Sequence, residues 1–481
     1  MDIRPARNRR SPPVFVNGSL LRHIVVMTST GAAGLMAIFV GDLANIFFLG
    51  LLGDEAVVAA VGYASSVLLL TISIGIGLAI ATTSLVAPAL GAGHVVKARR
   101  LSTNAHLWTA AVSSVLALAV WLAIPWALTL LGAAGRTHEL ASDYLAILVP
   151  GLPPLAVAMT SSAVLRSAGD AKRAMHVTLS GAIANIVLDP ILIFGLGLGI
   201  HGAAIASLLS RVVVVSVGLY GVIGVHGLIT RPRQRSFRAD GPALAAVAVP
   251  AILTNVATPF ANAYVTAVMA PFGDSAVAGW AIIGRILPVA FGAIYALSGS
   301  VGPIIGQNYG AGAFDRMRAT LGLSLMVTGA FTAFAWLVLA LLADPLADAF
   351  RASAEATRLI VLFCRWLSPL FVFLGALFVA NAVLNTLRRA HYSTALNWGR
   401  ATIGTIPFVE LGARYGGAEG VLVGNMVGAI VFGTLAVAIC YRLIDWLAAE
   451  CGRDPPTTGG PDGAMPPAPG EPGAAGAGGV A

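Results

Sequence analysis

Two carboxylates lie inside long apolar segments of this 481-residue chain, and their position makes them candidates for chemistry. Asp42 is the only charged residue within 24–53, and Asp189 is the only one within 177–210. A carboxylate at the centre of a bilayer costs about 2.5–3.5 kcal/mol even on lenient insertion scales. Burial disfavours the charged form, so either group could bind a proton near neutral pH. The alternative is a hydrogen-bonded carboxylate that only locks two helices together.

Three polar or helix-breaking residues accompany Asp189. Asn185 precedes it by four residues, so the two side chains share one helical face. Pro190 follows it and lacks an N–H, which frees a carbonyl of the preceding turn and is expected to kink the helix. Ser207 is the nearest hydroxyl in the next apolar segment, although a packing serine is an equal alternative. These residue types predict a site for a proton, or for sodium bound by Asp42, Asp189 and Asn185.

The elements that must position these residues are membrane-spanning helices. The chain is 57% hydrophobic and only 10% charged, whereas soluble domains carry about 25% charged residues. A spanning helix needs ~20 apolar residues, and barrel strands are about half as long and alternate in polarity. We therefore predict an all-α membrane protein of twelve transmembrane helices. The predicted helices are 24–49, 56–88, 104–131, 142–166, 174–195, 201–225, 243–270, 276–308, 319–343, 357–387, 394–413 and 418–446.

The distribution of basic residues predicts the orientation of the chain. Lys and Arg concentrate at the N-terminus, in the even-numbered loops and at the C-terminus, as in the pairs Arg9–Arg10, Lys172–Arg173 and Arg388–Arg389. The positive-inside rule then places both termini in the cytoplasm, and we expect a multi-pass protein of a bacterial inner membrane. The lipid bilayer explains this basicity better than nucleic acid, so we expect no nucleic-acid partner. The Pro-, Gly- and Ala-rich residues 447–481 are predicted to be a disordered cytoplasmic tail.

The chain also contains an internal repeat. LLGDEAVVAA from Leu51 matches PFGDSAVAGW from Pro271, and GAGHVVKARR from Gly91 matches GAGAFDRMRA from Gly310. The first motif lies between the first two helices of each half, and the second motif follows the second helix, so the chain consists of two six-helix halves. Because six is an even number, both halves have the same orientation in the membrane. Parallel repeats of this kind are a transporter architecture with a substrate site between the halves. The predicted divisions are a cytoplasmic segment 1–23, an N-lobe 24–225, a cytoplasmic linker 226–242, a C-lobe 243–446 and the tail.

The sequence resembles the multidrug and toxic compound extrusion (MATE) transporters from about residue 20 to residue 446. The residues that carry the resemblance are Asp42 with LLGDEAVVAAVG, LVAPALGAGHVVKARR, LRSAGDAKRAM, NIVLDPILIFGLGLGIHGAAIAS and VGPIIGQNYGAG. The resemblance implies two lobes in a V around a central cavity, and export of organic compounds driven by a proton or sodium gradient. It also implies a cation site in the N-lobe. Asp42, Asn185, Asp189 and Ser207 fall on the family's positions for that site, although threonine is the more usual hydroxyl residue.

The C-lobe departs from the family's sodium-coupled members. They tend to carry carboxylates on helices seven and ten, whereas the predicted helices seven, eight and ten of this chain contain none, and the repeat aligns Asp42 with Asn262. The resemblance therefore favours proton over sodium coupling. Polar residues of helices seven and eight are candidates for the substrate cavity, with packing hydrogen bonds as the alternative. They are Asn255, Asn262, Arg285 and Gln307.

We accordingly predict a secondary active exporter of organic or cationic drugs or metabolites that works by alternating access. A flippase for lipid-linked precursors stays open, because four arginines lie inside predicted helices: Arg211, Arg285, Arg365 and Arg400. A non-transporting membrane scaffold is the third possibility. We find no HExxH, GxSxG or P-loop pattern, so we expect no enzyme activity. We also expect no cofactor and no metal besides the coupling ion, small organic compounds as substrates, and a monomer.

Overall fold

The computed structural model describes residues 13–453, and these residues form helices and connecting turns without a β-strand. The sequence prediction of an all-α protein is confirmed. The predicted tail lies outside the described residues from 454 onward, whereas residues 447–453 continue the last helix. The predicted segment 1–23 is described only from residue 13.

Seven α-helices form the N-lobe. They are α1 (Leu20–Gly50), α2 (Glu55–Gly91), α3 (Val95–Leu130), α4 (Gly135–Leu148), α5 (Leu152–Ser167), α6 (Ala171–Pro190) and α7 (Gly199–Leu219). The 3₁₀ turn Val149–Gly151 joins α4 to α5, and π-helical turns Ile191–Gly195 and Tyr220–Val225 extend α6 and α7. The kink expected at Pro190 therefore takes the form of a wider helical turn directly after it.

Nine α-helices form the C-lobe. They are α8 (Gln234–Met269), α9 (Asp274–Ala290), α10 (Gly292–Gly310), α11 (Phe314–Leu341), α12 (Ala343–Ala349), α13 (Ala354–Leu362), α14 (Phe371–Thr386), α15 (Ala390–Ala401) and α16 (Ile406–Arg453). The 3₁₀ turn Ala270–Phe272 extends α8. A π-helical turn Phe363–Leu367 and a 3₁₀ turn Ser368–Leu370 join α13 to α14.

Within the described residues, ten helices are long and apolar enough to span a membrane, or eleven if α9 and α10, bent by 51°, form one span. The last of these, Ala390–Cys451, is 62 residues long. A straight helix of that length would measure about 93 Å, three times the ~30 Å hydrocarbon core. Gly417 breaks it with φ 58° and ψ −145°, and a Cβ on Gly412 would lie 2.0 Å from the carbonyl oxygen of Gly420. The chain thus folds back on itself there, and the count of twelve spans stays a prediction.

The repeat is visible in the backbone of the turns. Gly53 and Gly273 hold matching positive φ angles of 70° and 97°, each directly before an aspartate at the start of a helix. Gly93 and Gly312, which end the two Gly-Ala-Gly motifs, do the same at 74° and 68°. Residues other than glycine rarely adopt this region. The same turn chemistry therefore recurs at the same point of each half.

Several helices begin earlier than the apolar pattern predicts, because their first turns are polar and lie beyond the apolar stretch. Helix α8 begins at Gln234, nine residues before the predicted start at 243, so part of the predicted linker 226–242 is helical. This extension packs against α3. Trp108 stacks on Phe237 with ring centroids 4.5 Å apart, and Asp240 accepts hydrogen bonds from Arg100 and Asn104.

Candidate functional site

A polar cluster around the carboxylate of Asp189 lies at the contact between α1 and α6. Asp189 is 0% exposed, and its Oδ2 accepts a hydrogen bond of 2.9 Å from Nδ2 of Asn45 on α1. The other oxygen, Oδ1, is buried without a partner, and so is Oδ1 of Asn185 one turn earlier on α6. No Lys, Arg or His among residues 13–453 forms an ion pair with Asp189. The cluster thus holds two acceptor oxygens and no cation.

Small residues allow the two helices to approach closely enough for this bond. A Cβ on Gly41 would lie 3.6 Å from the Cα and Cβ atoms of Ala182, and one on Gly34 would lie 2.3 Å from Oγ1 of Thr178. Close approach of helices at small residues is the usual packing mode in membranes. Larger side chains at these glycines would push α1 away from α6 and break the contact between Asn45 and Asp189.

The structure places Asp42 and Ser207 around the same cluster. Asp42 lies one turn before Asn45 on α1, its side chain is exposed, and it makes no hydrogen bond or ion pair with other residues of 13–453. Ser207 on α7 is half-buried, and its side chain lies near that of Tyr144 on α4. Tyr144 is 5% exposed and interacts electrostatically with Asp42, Asp189 and Arg211. Four helices of the N-lobe therefore converge on the predicted cation site.

Sequence reasoning missed Asn45 and Tyr144. Asn45 could have been predicted, because it is a polar residue one turn after Asp42 in an otherwise apolar helix, just as Asn185 lies one turn before Asp189. Tyr144 carried no signal of its own, because an amphipathic tyrosine near a membrane interface is ordinary.

The predicted cavity residues do not form one group. Asn255 donates to the carbonyl of Ala251 in its own helix at 2.8 Å, and Asn262 is exposed on α8. Arg285 is exposed on α9 and makes no hydrogen bond or ion pair within the described chain. These positions are compatible with a cavity wall, and their contact with substrate stays a prediction.

Gln307 lies elsewhere, in the contact between the lobes. It is 1% exposed and its Nε2 donates to the carbonyl of Ser167 of the N-lobe at 2.7 Å. Its Oε1 accepts from the backbone N–H of Phe15 at 2.8 Å. Arg316 donates to the carbonyl oxygens of Phe15 and Gly18. Both the nitrogen and the oxygen of the Gln307 amide join the C-lobe to the N-lobe and to the segment before α1, which favours a structural role over substrate contact.

The two Gly-Ala-Gly motifs meet at this contact, which we call the seam. A Cβ on Gly91 would lie 2.0 Å from the carbonyl oxygen of Gln307, and one on Gly310 would lie 1.9 Å from that of Pro88. The ends of α2 and α10 therefore cross with their backbones in contact, each using the same residue of the repeat.

The comparisons with known proteins agree with this geometry. The sequence profile of the MatE family matches the chain twice, over residues 32–191 and 250–409. The chain belongs to the MatE family. The two matches cover corresponding parts of the two lobes, so the family profile detects the same repeat as the turns do. As a member, the chain is a multi-pass membrane transporter of the efflux type.

Named relatives and solved structures support the same assignment. The chain is 31% identical to the FAD transporter of Shewanella oneidensis over 88% of this chain and 95% of that protein. It is 22% identical to the multidrug export protein MepA of Staphylococcus aureus over 86% and 92%. A crystal structure of the Vibrio cholerae MATE transporter VcmN in the bent form matches with a TM-score of 0.84 and 26% identity, and covers 89% of this chain and 98% of that chain. The two-lobe fold is thereby confirmed.

Proposed function

We propose that this MATE transporter exports organic compounds in exchange for protons that bind in the N-lobe. The observation that carries the proposal is the full burial of Asp189 without any cationic partner, with its own Oδ1 and the Oδ1 of Asn185 both lacking a hydrogen-bond partner. A buried ionised carboxylate is costly unless it is paired. A proton on Oδ1 of Asp189 removes that charge and supplies a donor directed to the face shared with Asn185.

Sodium coupling is the weaker alternative. A sodium ion needs several oxygen ligands, whereas the buried cluster offers the unpaired oxygens of Asp189 and Asn185. Asp42, one turn from Asn45, would have to turn inward to join them. The interior helices of the C-lobe carry no carboxylate within 243–270, 292–310 and 371–401. The residues therefore support one coupling site, and it suits a proton best.

The mechanism that follows is alternating access between two lobes, here 24–225 and 243–446. Protons enter from the outer side and neutralise Asp42 and Asp189. Loss of charge lets α1 and α6 repack, and the substrate leaves as the lobes rearrange. A proton that moves down 100 mV supplies about 2.3 kcal/mol. We further propose an inner-membrane monomer with cytoplasmic termini. The relative named as an FAD transporter makes flavin dinucleotide a candidate substrate beside drugs.

The test is transport by purified protein in proteoliposomes. A fluorescent cationic dye and FAD are followed under an imposed pH gradient, then under a sodium gradient, for the natural chain, Asp42→Asn and Asp189→Asn. The control is Asp143→Asn, an acid outside this cluster that contacts His201. Proton-driven transport that only the first two variants lose supports the proposal. Transport driven by sodium alone refutes proton coupling. No transport of either compound refutes organic export and makes lipid-linked precursors the next candidates.

A further inference from the structure

The C-lobe contains a buried positive charge without a negative partner. Arg400 on α15 is 6% exposed, and its Nη2 donates to Oγ1 of Thr258 on α8 at 3.2 Å. Its Nε is buried without any partner. No carboxylate among residues 13–453 lies within 4.0 Å of its guanidinium. By contrast, Arg365 of the same lobe pairs with Asp344 at 2.6 Å.

Arg400 lies well inside α15. It comes ten residues after Ala390, the first residue of that helix, which corresponds to about 15 Å along the helix axis. Thr258 brings α8 into contact with the guanidinium, and Tyr295 on α10 lies near enough to interact with it electrostatically. Both of these neighbours are only half-buried. The guanidinium therefore lies just behind a partly open wall of the lobe.

The surroundings of Arg400 are polar and aromatic but neutral. On the same face of α15, Asn397 and Ser393 both donate to Oδ1 of Asn381 on α14, at 2.9 and 2.8 Å. The ring of Tyr295 packs against Phe378 with centroids 5.2 Å apart. Neutral hydroxyl and amide groups orient a guanidinium but leave its charge uncompensated. Such a charge is costly to remove from water, even after the surroundings have relaxed.

An anion that reaches the guanidinium between Thr258 and Tyr295 would compensate this charge. Guanidinium groups match carboxylates and phosphates, because their planar donors form paired hydrogen bonds with two oxygens. No acid among residues 13–453 forms an ion pair with Arg400, and Asp42 and Asp189 of the N-lobe belong to the proposed proton site. We propose that Arg400 is the substrate anchor of the C-lobe and binds the phosphate or carboxylate group of a transported organic anion. This inference rests on the proposed function and names its substrate class.

A pair of flavins compared across variants tests this anchor. FAD and riboflavin share the isoalloxazine ring, but FAD also carries a diphosphate and an adenosine, so the change in preference caused by replacing Arg400 isolates the phosphate charge. Binding is measured by titration of the purified protein in detergent, without any gradient, for the natural chain, Arg400→Gln and Arg400→Lys. Arg365→Gln is the control for loss of an arginine charge away from this site. We expect the natural chain to prefer FAD by at least tenfold, about 1.4 kcal/mol. Arg400→Gln should abolish the preference, Arg400→Lys should restore part of it, and Arg365→Gln should retain it.

The outcomes separate the inference from the proposed function. Equal affinity for both flavins in the natural chain, or an unchanged preference in Arg400→Gln, overturns the role of Arg400. A folded Arg400→Gln variant that binds FAD and riboflavin more weakly by the same factor also overturns the role of Arg400, because the residue would then act on structure alone. Dye transport under a pH gradient tests the proposed function independently. A chain that exports the dye but lacks the FAD preference keeps that function and loses this anchor.

Discussion

Phe15 offers the sharpest test of how the seam holds the lobes together. Its side chain is 1% exposed and belongs to a core cluster that contains Met27 of the N-lobe and Ile304 and Ile305 of the C-lobe. Its backbone bonds to Gln307 and Arg316 do not depend on the side chain. Phe15→Ala therefore removes packing alone. Truncation of a buried phenylalanine to alanine costs about 3–5 kcal/mol.

We expect the lower value, about 3 kcal/mol, because neighbours at the end of a bundle relax more easily than those in its centre. The segment before α1 touches both lobes, so it must leave one of them when the seam opens. Phe15→Ala then destabilises the state with a closed seam and leaves the stability of the open state unchanged. A difference of about 3 kcal/mol shifts the equilibrium toward the open seam by roughly 100-fold.

The assay is a distance measurement between spin labels in lipid nanodiscs. The labels are placed by Ala92→Cys and Ala311→Cys, at the middle of the two Gly-Ala-Gly motifs, in a background with Cys364, Cys440 and Cys451 replaced by alanine. Phe15→Ala should add a population with longer distances, and Gln307→Ala should act in the same direction. Val96→Ala, at a side chain that is 81% exposed, is the control. Identical distance distributions for folded Phe15→Ala and the natural chain would refute the reasoning.

Two further predictions follow from contacts at the same end of the molecule. Gly91→Ala places a Cβ 2.0 Å from a backbone oxygen, so the labels above should report a wider seam, whereas Gly62→Ala, with nothing within 4 Å, should not. Asp170 caps α6 by accepting from the Arg173 N–H. Burial opposes its charge, but hydrogen bonds from His226 and Arg173 outweigh burial and hold its pKa below the usual range. Asp170→Ala should lower stability by about 1 kcal/mol or more near pH 7. Because the folded-state pKa is lowered, that deficit should shrink as the pH falls below about 4, which thermal unfolding at several pH values would show.

The sequence was a good guide wherever one local cause decides the structure. Apolar runs of spanning length became helices, and the Gly-Asp and Gly-Ala-Gly motifs became paired turns with positive φ because few other residues adopt that backbone. The site around Asp189 was predicted in part for the same reason. An isolated charge in an apolar run is a strong signal in one sequence, since the membrane makes it costly.

Contacts between side chains of different helices could not be predicted, because they depend on how one helix is rotated against another. Asn45 faces Asp189 only because Gly41 packs on Ala182, and no local pattern states that pairing. Gln307 is a polar residue in an apolar helix, which predicted a place in the cavity, but the crossing of α2 and α10 places it in the seam. Helix starts were misplaced for a different reason. An apolar window ends at the membrane boundary, whereas a helix such as α8 continues into water on polar turns.

Each lobe buries a charged side chain that has no ion-pair partner within residues 13–453, and these two side chains carry charges of opposite sign. Within the described chain Asp189 lacks a cationic partner, and Arg400 lacks an anionic one. On a single lobe the two would form an ion pair, and neither would then respond to a proton or to a ligand. Under the two proposals above, a proton satisfies the charge of Asp189 and an anionic group of the substrate satisfies that of Arg400. Alternating access would then link the two sites through the movement of the lobes.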